Sequence, residues 1–190
     1  MTSRWRRSFA VAAAVAILVA VTAAAGISRA STQAQPVSDP ASLVNPLIGT
    51  SRGVNTFPGP SMPFGMIQWS PDTYPSRPFG GGYEYNTSQI TGFSLTHMAT
   101  GCPAYNDVPI LPTVGGIGSS PGSATETFFH SGESVQAGYY AVTLGNGVTT
   151  RLTDTTRAGI GTFTFPATTQ ANLLLKLTGT RPPSSAPVPR

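Results

Sequence analysis

The chain has 190 residues, 11 of them basic and seven acidic, with a single cysteine. Arg4, Arg6, Arg7 and Arg29 fall within the first 30 residues and every acid lies beyond them, so seven minus seven leaves the remainder near neutral. A near-neutral body lacks the basic stripe that neutralises phosphates, which argues against a nucleic-acid partner, and one cysteine excludes a disulfide within the chain.

Residues 1–30 read as an export signal: a basic start, an apolar run from Phe9 to Val21, then small residues. The apolar run is shorter than the ~20 residues a bilayer span requires. No membrane association is therefore expected once the signal is cleaved, a retained signal anchor being the alternative. Cleavage is expected after Ala30 or near Ala25. Arg6-Arg7-Ser8-Phe9 resembles a twin-arginine motif, with Sec export as the equal alternative, and either route makes the product secreted. Residues 31–42 are polar and proline-bearing, as a linker is.

Short β segments with turn residues between them follow. Phe64 to Trp69 reads as the first, with Ser70-Pro71-Asp72-Thr73 at its end. A short strand over Tyr83-Glu84-Tyr85 comes after a glycine triplet at Gly80 to Gly82, with the two tyrosines on one face and Glu84 on the other. Ile90 to His97 alternates, with Phe93 and Leu95 opposite Ser94 and Thr96; Val108 to Leu111 ends at Pro112; Thr125 to His130 is next. Tyr139 to Leu144 and Val148 to Thr153 flank Gly145-Asn146-Gly147, residues that tolerate the backbone of a tight hairpin. Gly159 to Phe165 and Asn172 to Leu177 complete the series. No segment beyond the signal sustains a helical apolar period, so the fold class is all-β, an antiparallel β-sandwich. The sandwich spans residues 43–177, and residues 178–190, rich in proline, are expected to be a disordered tail.

Two blocks carry more loop chemistry than a core requires: Val44 to Thr73 and Gly92 to Gly116. The elements N-P-L-I-G-T, N-T-F-P-G, P-F-G-M, S-P-D-T, G-F-S-L-T-H and G-C-P-A-Y-N-D-V-P-I-L-P occur in that order. In this the chain resembles the N-terminal domain of glycoside hydrolase family 92, exo-acting α-mannosidases. The resemblance implies a β-sandwich here, followed in the family by an (α/α)6-barrel domain that this sequence does not contain. It also implies inverting release of terminal α-mannose from N-glycans or mannans. The general acid, the general base and the ligands of a calcium cofactor would lie in the barrel. The implied partners are mannose-containing glycans and the missing catalytic domain.

Glycoside hydrolysis needs two carboxyl groups, one to protonate the leaving oxygen and one to activate water or attack the anomeric carbon. No catalytic residue and no metal ligand is assigned to this chain, and a CxxC, HExxH or His-rich cluster is absent from it. The candidate substrate-binding residues, forming a pocket wall, are Asp72, Tyr83, His97 and Asp107. Asp72 can accept bonds from sugar hydroxyls or close an Asx turn after Pro71. His97 can serve a hydroxyl or simply end a strand. Asp107 can reach a sugar or cap its loop. Tyr83 or Tyr85 can stack on a pyranose, the other being core. Trp69 reads as core, and Cys102 as a small buried hydrophobe. By itself the chain is expected to be inactive; the alternative readings are a stand-alone carbohydrate-binding module and a non-functional gene fragment.

Overall fold

The structure, a computed structural model, describes residues 37–51, 56–74, 81–97 and 106–177. The expected export signal, most of the linker, Cys102 and the tail lie outside the described residues. Among them run ten strands: β1 (Ser70–Thr73), β2 (Gln89–Ser94), β3 (Thr96–His97), β4 (Asn106–Asp107), β5 (Ile110–Val114), β6 (Glu126–Gln136), β7 (Tyr139–Leu144), β8 (Thr149–Asp154), β9 (Gly159–Thr164) and β10 (Ala171–Leu175). Among the described residues helix is confined to short 3-10 turns at Pro40–Leu43 and Pro121–Ser123.

Eight strands form one antiparallel sheet in the order β10-β5-β2-β6-β7-β8-β9, with β1 paired to β2, while β3 and β4 pair apart. The fold is thus all-β as expected, and its two layers are two halves of one curled sheet. β6 belongs to both. Its first residues pair with β2 (Glu126 with Ile90, Thr127 with Gln89), and the rest pairs with β7. Between Phe128 and Glu133 the β7 register slips, so five steps along β6 match two along β7, from Leu144 to Val142. Such irregularities bend a strand and raise its twist. The far half consequently folds back, and Phe163 of β9 meets Trp69 and Phe93 at ring-centroid distances of 6.4 and 6.3 Å.

The β7–β8 hairpin forms where the sequence places it. Leu144 and Val148 bond across the turn at 2.9 Å, Gly147 takes a φ of 84°, and the Asn146 carbonyl oxygen accepts from the Val148 amide at 3.0 Å. Alternation buries Thr150 and Leu152 of β8 and leaves Arg151 and Thr153 outside. With Ile90, Phe93, Leu111, Phe128, Tyr140, Val142 and Val148 they build the core around Trp69, whose indole N–H donates to the Phe93 carbonyl at 3.2 Å.

Several elements differ from the sequence expectation. Phe64 to Trp69 is not a strand: Gly65 bonds back to Met62 at 2.8 Å, Phe64 adopts a φ of 57° and is fully exposed, and Met66 donates to Thr156 at 2.7 Å. The strand is instead Ser70–Thr73, wholly buried against β2, with Pro71 on an edge strand where a missing N–H is tolerated. The alternating run from Ile90 breaks at Leu95, whose carbonyl accepts from Gln68 at 2.9 Å. Val108 has a φ of 52°, so β5 begins later and passes through Pro112, beyond its only β2 partner pair, Phe93 with Ile110. Tyr83 to Tyr85 is not a strand; Thr87 closes a turn onto Glu84 at 3.2 Å.

Gly159 and Gly161 of β9 lie under the Trp69 ring, which a Cβ at Gly159 would meet at 2.7 Å and one at Gly161 still closer. We expect Gly161→Ala to force the indole aside and to cost about 1–3 kcal/mol, measurable as a lower urea midpoint with an unchanged m-value.

Candidate functional site

The S-P-D-T and G-F-S-L-T-H elements meet in one buried network. Antiparallel pairing sets Ser70 against Ser94 and Asp72 against Gly92, which brings the Asp72 carboxylate to the end of β2. Ser94 Oγ donates to Asp72 Oδ2 in a short bond, and Oδ1 lies 3.0 Å from His97 Nε2. His97 Nδ1 reaches the Gln68 main-chain carbonyl at 2.7 Å, and the His97 amide donates to Gln68 Oε1 at 3.1 Å. The Gln68 carbonyl can only accept, so Nδ1 carries a proton. The Phe57 ring covers the imidazole, 5.2 Å between centroids.

Burial makes this pairing obligatory. The His97 and Asp72 side chains are 0% and 2% exposed, and an isolated charge there would be severely destabilising. Lys176 adds a third polar group, its Nζ donating to the carbonyls of Thr91 (2.6 Å) and Ala124 (2.5 Å). Burial lowers the pKa of this ammonium, and the field of Asp72 partly opposes that. His97 faces Asn106 across the β3–β4 pair and Thr96 faces Asp107, so the ends of segment 98–105 are pinned together at this network.

A second polar cluster sits on β6 and β7. Glu133 is buried, and its carboxylate accepts from the Tyr83 hydroxyl at 3.0 and 3.1 Å and from the Tyr140 hydroxyl at 2.6 Å. His130 Nδ1 lies 2.6 Å from the same carboxylate, and Nε2 lies 2.6 Å from the Tyr85 carbonyl. On a regular strand, residues three apart face opposite sides; the register slip in β6 turns His130 and Glu133 toward each other. Burial and then the Glu133 charge push both Tyr83 and Tyr140 well above the ordinary phenol range.

The candidate residues named from sequence therefore divide. Asp72 and His97 come together and are interior, each already holding partners of this chain. Tyr83 is fully buried in the second cluster, and its neighbour Tyr85 is the half-buried one, stacked on His130. Asp107 is placed by its backbone alone, opposite Thr96 on β4. Sequence reasoning missed His130 and Glu133, because their proximity depends on a register slip that leaves no mark in local alternation. Asp154 holds buried carboxylate oxygens that find no hydrogen-bond partner among the described residues, and burial raises its pKa. Among the described residues no three His, Cys, Asp or Glu side chains converge as metal ligands would.

Residues 43–186 match the glycosyl hydrolase family 92 N-terminal domain. A secreted glycosidase of Arthroderma benhamiae is 33% identical over 149 residues, covering 74% of this chain and 19% of that protein. A family GH92 alpha-mannosidase of Bacteroides thetaiotaomicron superposes with a TM-score of 0.62 at 36% identity, over 70% of this chain and 19% of the other. A GH92 inverting mannosidase of the same species gives 0.57 at 32% identity, over 68% and 18%. This chain thus spans about a fifth of the length of these relatives.

Two outcomes are expected of the buried clusters. His97→Ala removes the partner of Asp72 and should cost about 3–5 kcal/mol, read as a large fall in urea midpoint. For Tyr83 and Tyr140 the folded pKa is raised, so their contribution is complete below the unfolded value of about 10 and is lost as pH rises above it. Ultraviolet titration should show Tyr83 and Tyr140 ionising only on alkaline unfolding; ionisation of both with the fold intact would contradict this assignment.

Proposed function

Since the chain belongs to glycosyl hydrolase family 92, as a copy of its N-terminal domain, we propose that it forms the non-catalytic N-terminal part of an exported, calcium-dependent α-mannosidase. The observation that carries the reading is a match over most of this chain to about a fifth of solved mannosidases, one of which was also captured with mannoimidazole. The chemistry of the described carboxylates agrees. Asp72 and Glu133 are held by internal donors, and Asp154 is buried without any. These three are not offered to a glycosidic oxygen or a water in the paired geometry that hydrolysis uses.

In this reading Asp72, His97 and Tyr83 brace the pocket wall from within, and Asp107 belongs to the strand pair at its rim. The substrate is a terminal α-mannoside of an N-glycan or mannan, and the reaction inverts the anomeric carbon with acid and base supplied by a barrel domain. Calcium enters through the family alone. The described residues bring no ligand cluster together, so no residue of this chain is assigned to the metal. Export is supported by the basic and apolar start of the sequence and by the secreted relative.

The test is a pair of assays on 4-nitrophenyl α-mannoside. The purified chain alone should give no turnover, and its fusion to the remaining length of the Bacteroides mannosidase should give turnover that a chelator abolishes and excess calcium restores. Proton NMR of the first product should show the inverted anomer. Hydrolysis by the isolated chain, or a well-folded fusion active only on other glycosides, would overturn the proposal.

A further inference from the structure

A cleft of about 660 Å³ opens between the turn at residues 85–89 and the start of β6. That volume lies in the range of small-ligand sites. Tyr74 and Phe129 stand on it, 62% and 68% exposed, and the Tyr85 and His130 rings line it as a nearly parallel stack 3.9 Å apart. Ser88 and Gln89 bring a hydroxyl and an amide to the same space. The stacked pair is fixed from behind, because Glu133 and the Tyr85 carbonyl hold both nitrogens of His130, and Tyr83 and Tyr140 hold Glu133. Rings so placed meet a ligand with little ordering cost.

The charges of the lining decide what kind of ligand fits. Among the described residues that line the cleft there is no Lys, Arg, Asp or Glu, and the imidazole among them is committed on both sides. Among those residues a phosphate, carboxylate or ammonium group meets no counter-charge. A wholly apolar ligand would bury the Ser88 and Gln89 groups without partners, at a cost. What matches is a neutral ring with an apolar C–H face and hydroxyls at its edge. We propose that this cleft binds a neutral hexopyranose unit of a glycan, with Tyr74 and Phe129 against the sugar face and Ser88 and Gln89 on its hydroxyls. The cleft shares no residue with the Asp72–His97 network, so it is a second sugar site, one that needs no catalytic domain. Only the choice of a mannoside as first probe rests on the mannosidase reading.

Titrating the full chain with methyl α-D-mannopyranoside and, separately, methyl α-D-glucopyranoside, followed by NMR, tests this directly. Shifts should concentrate on Tyr74, Ser88, Gln89 and Phe129. Tyr74→Ala and Phe129→Ala should each weaken binding roughly threefold to tenfold with no change in melting temperature, both residues being exposed. Binding of the glucoside alone at these residues would support the cleft and count against the mannose preference of the family reading. Mannoside shifts confined to the surroundings of Phe57 and His97 would overturn the cleft and leave the mannosidase reading standing. Affinities unchanged in both variants, or no shift with either glycoside near saturation, would also overturn it.

Discussion

A single antiparallel sheet must close over itself before it can bury a core on one face, and here the closure hangs on the register slip in β6. By pairing first with β2 and then with β7, that strand carries the chain from one layer to the other without a crossover connection. The Phe163 contact with Trp69 and Phe93, and the bare glycines that admit the indole, follow from it. So does the meeting of His130 with Glu133, which a regular strand would have set on opposite faces. One local departure from ladder geometry therefore supplies both the hydrophobic core and the rigid backing of the aromatic cleft.

The two histidines of the chain are built alike. Each places one ring nitrogen on a main-chain carbonyl and the other on a carboxylate: His97 on Gln68 and Asp72, His130 on Tyr85 and Glu133. Residues that look reactive in a sequence thus act as cross-braces between segments distant along the chain. Such networks are costly if half satisfied and rigid if complete. That rigidity suits a domain whose proposed contribution is to hold walls in place while another domain supplies the acid and base.

Legibility in the sequence tracked the range of the interactions. The β7–β8 hairpin was readable because alternation and the Gly145-Asn146-Gly147 turn are both local. Trp69 was readable as core from its place in an apolar run. The stretch before it misled, because its turn depends on Thr156, some ninety residues away, accepting from Met66. Asp72 and His97 stood out singly as polar groups in loop-rich blocks, yet their partnership exists only through the β1–β2 register. Strand spacing and the family resemblance each gave an antiparallel β-domain, and the resemblance alone gave the family.

The place of β10 bears on the order in which the molecule is made. Although it is the last of the described strands, it covers β5, which has already been synthesised, and the adjoining Lys176 ties Thr91 to Ala124 from 85 and 52 residues downstream. Until that lysine emerges, a growing polypeptide presents β5 as an open edge able to recruit foreign strands. The β5 edge is therefore closed only after β10 and Lys176 have been made. A newly made chain thus carries an unpaired edge for as long as the sixty or so residues between β5 and β10 take to appear.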